Sequence, residues 1–144
     1  MSVEIRHLGA GDEGVLERVD PGVFDHAIDP ALVAEFLGDR RHHLVVAVDG
    51  GTVVGFASGV HYVHPDKPAE LWVNEVGVAP SHQRQGLGKR LLQALFDRGR
   101  ALGCREAWVL TSHANGPAVR LYEAVGGVDM ADPPVMFTFR LTEP

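Results

Sequence analysis

A lone cysteine, Cys104, denies this chain any internal disulfide, and its 8 histidines and 19 acidic residues nowhere take the paired spacing of a metal site. A reducing cytoplasm is therefore the expected compartment, and no metal is expected. Long apolar runs are missing too. None approaches the roughly 20 residues that span a bilayer, and Met1-Ser2-Val3-Glu4-Ile5-Arg6 turns polar too soon for a signal peptide, so a soluble protein without a membrane partner is expected. Positive charge is in short supply, with 13 basic against 19 acidic residues and a formal net charge of −6. That balance argues against a general nucleic-acid surface and favours a cationic partner. Repeats, low-complexity tracts and internal linkers are absent. What remains is 144 residues of 45% hydrophobic content, enough for one domain, 1–144, with its own core.

The apolar pattern divides that length into alternating elements. Val3 to Leu8 alternates as a half-buried strand, and Asp12 stands as an N-cap before Val15, Leu16 and Val19. Asp29-Pro30 caps a short helix carrying Leu32, Val33, Phe36 and Leu37. His43 to Val48 and Thr52 to Tyr62 are β-rich runs joined by Gly50-Gly51, a hairpin signal. After the rigid loop His64-Pro65-Asp66-Lys67-Pro68, Leu71 to Val78 reads as a largely buried strand. Leu87, Leu91, Leu92, Leu95, Phe96 and Leu102 recur at helical spacing, and Gly103 stands where a helix would end. Ala107 to Leu110 reads as a short buried strand. Asn115 and Pro117 open a last helix with Ala118, Leu121, Tyr122 and Val125 inward, closed by Gly126-Gly127. Val135 to Leu141 alternates as a final strand.

The junction from Val76 to Arg90 carries the most chemistry. An apolar strand runs into the glycine-punctuated turn Gln83-Arg84-Gln85-Gly86-Leu87-Gly88, which opens the leucine-rich helix. Amide groups at a helix N-terminus lack intrahelical partners and carry partial positive charge, so such a turn is suited to a pyrophosphate. Arg84, Lys89 and Arg90 add side-chain charge. The spacing is neither G-x-x-x-x-G-K-[ST] nor G-x-G-x-x-G, the common nucleotide loops. The plainer alternative is a turn before a helix.

Q-R-Q-G-L-G after a strand resembles the acetyl-CoA loop of the GCN5-related N-acetyltransferases (GNAT), and the element order matches that family along essentially the whole chain. The resemblance implies an α/β (α+β) fold with a central mixed, mostly antiparallel, splayed sheet of about six or seven strands flanked by about four helices. It also implies acetyl-CoA as cosubstrate, direct acetyl transfer to a primary amine in a ternary complex, and often a homodimer, in which the final strand could pair or exchange.

Residue by residue, the resemblance gives Val76, Gly77 and Val78 to a bulged strand whose backbone meets the pantetheine, with the Val78 N–H as oxyanion donor. Gln83, Arg84, Gln85, Gly86, Leu87, Gly88 and Lys89 fall on the pyrophosphate cradle. Tyr122 matches the tyrosine that protonates the departing sulfur, the alternative being a core tyrosine. Asn115 matches an asparagine that bonds the pantetheine, the alternative being a simple N-cap. Glu75, in an otherwise apolar segment apart from Asn74, is expected to be half-buried and tuned as a base, acting through a water. Alternatively it only orients a cationic substrate. Gly127-Val128 departs from the usual Gly-Phe.

Val53-Val54-Gly55-Phe56-Ala57, Tyr62-Val63, the proline loop and Val135-Met136-Phe137-Thr138-Phe139 further resemble the type I aminoglycoside 3-N-acetyltransferases. Aminoglycosides are polycations, and Asp25, Asp29, Glu35, Glu70 and Glu75 are expected to line an acidic acceptor cleft, with His26 in reach of substrate. His42, His43, His61 and His64 are expected at the surface or the substrate rim. Other acceptors (a polyamine, an amino acid, a protein N-terminus) stay open. So does a non-catalytic acyl-CoA-binding module, although Glu75 and Tyr122 would be idle in one.

Overall fold

In a computed structural model that describes residues 2–130 and 132–143, turn chemistry and apolar spacing set most of the elements. Strands β1 (Glu4–Leu8), β2 (His42–Asp49), β3 (Thr52–Tyr62) and β4 (Glu70–Val78) form an antiparallel series, and β5 (Ala107–Trp108) adds to β4 in parallel, giving the order β1-β2-β3-β4-β5. Gly50 and Gly51, at φ 57° and 82°, make the β2–β3 turn, whose two left-handed residues match the twist of a hairpin. Helix α1 (Pro30–Gly38) starts where Asp29 accepts a hydrogen bond from the Ala31 N–H at 2.9 Å. Helix α2 (Leu87–Ala101) ends at Gly103, φ 87°. Helix α3 (Gly116–Ala124) follows β5.

The sheet is covered on two faces. Leu91 and Leu95 of α2 lie against Gly55 and Gly59 on one face, where an added Cβ would come within 3.2 Å and 3.5 Å of them. On the other, Phe24 stacks on Phe56 at 4.0 Å and Phe36 of α1 on His42 at 5.0 Å. Leu87, Leu91, Leu92 and Leu95 are buried with Val45, Val46, Ala47, Val53 and Val73 as the centre of the core.

Four expectations change. Among the described residues there are five strands, three α-helices and two 3-10 turns, fewer than the strands and helices expected, though the α/β class holds. The helix after Asp12 shrinks to a 3-10 segment, Glu13–Glu17, because the Asp12 carboxylate accepts from the Gly9 N–H and caps nothing, and Gly11 and Gly14 disfavour longer helix. Residues 107–110 are not a buried strand: β5 is two residues long, and Trp108 and Leu110 are 39% and 45% exposed. Residues 135–141 form no strand and stand exposed.

Candidate active site

Strand β4 carries its chemistry on a change of face. Leu71 and Val73 point to the α2 side, so strict alternation would send Glu75 the same way into the core. The register instead shifts: Val73 pairs with Gly59 and Glu75 with Ser58, leaving Asn74 as an extra residue. This bulge turns Glu75 to the opposite face and returns Val76 and Val78 to the core side. It sits at Asn74, upstream of the Val76-Gly77-Val78 step that the resemblance gives to the bulged strand. Two consecutive polar residues, Asn74-Glu75, in an apolar strand were its signal. Gly77 has a different duty, since a Cβ there would fall 2.6 Å from the Val23 carbonyl oxygen and 2.8 Å from the Phe56 ring.

Beyond Trp72, β4 has no partner on its outer side among the described residues, because β5 pairs only at Leu71–Ala107 and Trp72–Trp108. The Ala79 N–H is turned inward to the Val54 carbonyl at 2.8 Å. Alternation therefore aims the N–H and C=O of Val78 and Val76 outward, into the gap. Gln83 already donates to the Val78 carbonyl from there, at 3.1 Å.

The following loop is left-handed twice, at Arg84 (φ 64°) and Gly86 (φ 75°). Arg84 is the one non-glycine with positive φ among the described residues, a backbone strain that gathers successive N–H groups into an anion-binding concavity. The first helical bond of α2 runs from Arg90 to Gly86, which leaves the N–H groups of Leu87, Gly88 and Lys89 free for a ligand. Leu87 buries its side chain while offering its amide, and Lys89 is exposed. Arg90 does not join them; it reaches back to the Val3 carbonyl at 3.1 Å. The loop is clasped to the β2–β3 hairpin by His82, which bonds Asp49 at 2.7 Å and Ser81 at 2.8 Å.

Helix α3 brings the last groups. Gly88 is small because Leu121 lies against it, 3.0 Å from where a Cβ would stand, so α3 rests on the first turn of α2. Tyr122 follows on that helix, half-buried, and burial pushes its hydroxyl above the usual phenol range, leaving it a protonated donor at neutral pH. Asn115 caps α3, accepting from the Ala118 N–H at 3.2 Å.

A cavity of about 420 Å³ opens beside β4, lined by Gly22, Val23, Asp25, Phe56, Glu75, Val76, Gly77, Val78 and Gln83. It unites two of the acidic residues expected in an acceptor cleft with the backbone expected to meet the cosubstrate.

A family model of acetyltransferases, the GNAT family, matches residues 15–127. The chain belongs to the GNAT family. Among relatives, the N-alpha-acetyltransferase RimI of Mycobacterium tuberculosis is 38% identical over 104 residues, covering 72% of this chain and 63% of its own. The streptothricin acetyltransferase of Streptomyces lavendulae is 29% identical over 65% of this chain and 49% of its own. The match thus spans less than two thirds of either. Among solved structures, the aminoglycoside N-acetyltransferase AAC(6')-Iy in complex with CoA superposes with TM-score 0.75 at 25% identity, covering 98% of this chain and 96% of that one. An aminoglycoside acetyltransferase from an uncultured soil metagenomic sample reaches 0.80 at 20%, over 99% and 100%.

GNAT acetyltransferases use acetyl-CoA, and the residues present fit it: outward backbone groups at Val76 and Val78, the Arg84–Gly86 concavity and the free first-turn amides of α2. Among the described residues no group of His, Cys, Asp or Glu is arranged to hold a metal. The acidic cleft is narrower than expected. Glu75 is exposed rather than half-buried. Asp29 is taken by its cap, and Glu35 is an exposed residue of α1 outside the cavity lining, as is His26 in its loop. Glu70 lies at the far end of β4 with Lys67 at 2.9 Å and His64 at 3.3 Å, and the Lys67 hydrogen bond holds its carboxyl below the usual range. The Lys67–Glu70 spacing was the signal for that pairing. His43, expected at the surface, is 2% exposed and bonds His61 at 2.7 Å. The hydrophobic run Leu44-Val45-Val46 beside it pulls it in.

Proposed function

We propose that this GNAT protein is an acetyl-CoA-dependent N-acetyltransferase acting on a primary amine of an aminoglycoside, as a cytoplasmic homodimer, by direct transfer in a ternary complex. The observation that carries the reading is the cavity that sets the carboxylates of Asp25 and Glu75 beside the outward backbone of Val76 and Val78. A polycation is held by such carboxylates, and the chain's net charge of −6 attracts it. Acetyl-CoA supplies the acetyl group as an activated thioester. Glu75 takes the proton of the incoming ammonium, freeing the nitrogen lone pair to attack the acetyl carbon. The Val78 N–H donates to the carbonyl oxygen as it gains charge. Tyr122 gives its proton to the sulfur as the C–S bond breaks; the second proton, shed by the nitrogen as the amide forms, leaves to solvent, from which Tyr122 is reprotonated. Each acetylation removes a charge from the polycation, so expression in a susceptible cell raises the drug concentration that stops growth.

The identity to RimI favours a second reading, the α-amine of a protein N-terminus. Thiol release measured with aminoglycosides, polyamines and peptides separates the two. Turnover with aminoglycosides is expected, and turnover with peptides alone overturns the proposal. Tight acetyl-CoA binding with no turnover on any amine would instead make the chain a binding module. The sequence resemblance favours the 3-amino group, and NMR of the product reads the position directly.

A further inference from the structure

Four of the chain's 8 histidines, His7, His42, His43 and His61, gather at the end of the sheet away from the donor loop. Strand β2 pairs Val45 with His7 of β1 and His43 with Gly59 of β3, so His7, His43 and His61 share one sheet face as diagonal cross-strand neighbours. It is the face that α2 covers, since an added Cβ on Gly59 would come 3.5 Å from Leu95. His43 Nε2 lies 2.7 Å from His61 Nδ1, and the ring centroids of His7 and His43 are 6.2 Å apart. Elsewhere between this helix and the sheet the layer is apolar, with Val45, Leu91 and Leu95 fully buried. Imidazoles in such a layer cost free energy unless they have partners, and packing does not call for three of them.

The row lines a cavity of about 590 Å³, a size within the roughly 300–1,000 Å³ of small-molecule pockets. Arg98, from the last turn of α2, lines it too, and the rise from Leu87 to Arg98 sets it about 16 Å from the donor cradle. Charge here does not balance. Among the described residues the Arg98 side chain has no ion pair, because its neighbour Asp97 is taken by Arg100 at 2.9 Å. Asp39, the one carboxylate of the lining, is held by Arg41 at 3.2 Å, and Arg40 beside it adds a further positive charge. Asp12 stands near His7, but its carboxylate accepts from the Gly9 N–H. Burial first and then Arg98 push the rings of His7 and His61 below the usual histidine range; burial, then His61 and Arg98, do the same to His43. One uncompensated guanidinium is thus felt by all three rings, repelling a metal cation and attracting an anion. The carbonyls of Arg98 and Gly99, at the same helix end, are engaged by the N–H groups of Leu102 and Cys104.

We propose that this cavity is a second binding site, for a phosphate group carried as inorganic phosphate or as a small phosphate monoester, held by the Arg98 fork with His7, His43 and His61 as further donors. A carboxylate's two oxygens are matched by a guanidinium alone, whereas donors from β1, β2, β3 and α2 together match the three terminal oxygens of a phosphate. Leu8, Leu37 and Leu102 give the cavity apolar walls against which the body of an ester can lie. One proton added to the His43–His61 pair keeps their shared bond and makes both outer nitrogens donors. The bound anion favours that proton and one on His7, so binding takes up protons and tightens as pH falls from about 7. Neither the acceptor amine nor turnover enters this reading.

Sulfate carries the same charge as a phosphate dianion without titrating between pH 6 and 8, so it separates the protein's protons from the ligand's. Titrations followed by histidine NMR, at constant ionic strength and with the donor cradle filled by saturating CoA, are expected to show sulfate and inorganic phosphate binding at pH 6. Sulfate binding is expected to weaken about tenfold or more by pH 8, and the titration midpoints of His7 and His61 to rise when it is bound. Arg98→Gln, at an exposed residue, is expected to fold and to weaken sulfate about tenfold or more, the loss of one charge-assisted bond. The double variant His7→Gln, His61→Gln is expected to remove most of the pH dependence. Phenyl phosphate binding tighter than inorganic phosphate assigns the site to an ester, and equal or weaker binding assigns it to the free ion. No binding at pH 6 with the cradle filled, binding that Arg98→Gln leaves unchanged, or sulfate binding as tight at pH 8 as at pH 6 overturns the proposal. So does Ni²⁺ binding by the three rings in place of the anions.

Discussion

From Glu4 to Ala101 the chain holds β1 to β4, α1, α2 and every buried side chain among those described, whereas Arg105 to Glu143 holds two residues of strand, one short helix and an exposed apolar tail. The proposed site straddles the two. Its phosphate cradle, outward backbone and Glu75 stand on the first region, fixed by Leu91 and Leu95 beneath the sheet and by the His82–Asp49 clasp. Tyr122 and Asn115 stand on the second. In the proposed reading donor binding is built into the core, and proton delivery to the sulfur depends on a helix that meets the core only through the partly buried Leu121, Tyr122 and Val125.

The contrast is broken most readily by stability. Leu95→Ala removes a fully buried side chain from between α2 and β3 and is expected to destabilise by about 3 kcal/mol. Phe139→Ala, at a residue 82% exposed, is expected to change the unfolding of dilute, dissociated chain by less than about 0.5 kcal/mol. Urea unfolding at low protein concentration reads both, and comparable losses would show that the tail packs on its own chain.

Function is expected to reverse the ranking. Tyr122→Phe leaves packing intact and is expected to lower kcat about a hundredfold, near 2.7 kcal/mol, with acetyl-CoA affinity little changed. An unchanged kcat would remove the tyrosine as the acid and confine the chemistry to the first region.

The same division governs how much of the molecule is legible in its sequence. Local signals suffice in the first region: Gly50-Gly51 for a left-handed turn, Asp29-Pro30 for a capped helix, leucines at helical spacing for α2, and Q-R-Q-G-L-G for the loop with Gly86 in the left-handed region. The bulge lies two to four residues upstream of Val76-Gly77-Val78, to which the resemblance assigns the bulged backbone, and Asn74-Glu75, two polar residues in an apolar strand, mark it. Asp29 and Glu70 lie outside the cavity lining because a carboxylate's partner decides where it is held: the Ala31 N–H engages one and Lys67 the other. In the second region the pattern of 135–141 reads as a strand, yet pairing is a contact between distant segments, and alternation does not say which edge, or whose, will receive it.

Acid sharpens the comparison from the rigid side. At the end of the sheet away from the loop, His43 is buried against His61, with Arg98, His7 and His42 near it, and desolvation first, then those charges, lower its pKa to about 4. The unfolded chain binds this proton near pH 6.5 and the folded one does not, so stability is full above that pH and falls as pH drops toward 4. By pH 5 the loss is about 2 kcal/mol. Urea unfolding between pH 7 and 5 is expected to show it, and His43→Gln, which can still bond His61 but does not titrate, to flatten it. An acid limb unchanged in that variant would move the titration elsewhere.

The smallest expected effect separates the two duties of Asn115, the N-cap of α3. Its Oδ1 is engaged with the Ala118 N–H, so capping alone explains the oxygen, and its Nδ2 amide remains to donate to the pantetheine. Aspartate caps as well as asparagine does but has no N–H to give. Asn115→Asp is therefore expected to keep the stability of α3 and to raise the KM for acetyl-CoA by up to about tenfold, the range of one net hydrogen bond of up to about 1.5 kcal/mol. Asn115→Ala, which loses the cap as well, is expected to cost a further 1 kcal/mol or so in stability. If Asn115→Asp leaves KM untouched while Asn115→Ala raises it, the residue acts on the donor only by ordering α3, and the second region touches acetyl-CoA through Tyr122 without help from its cap.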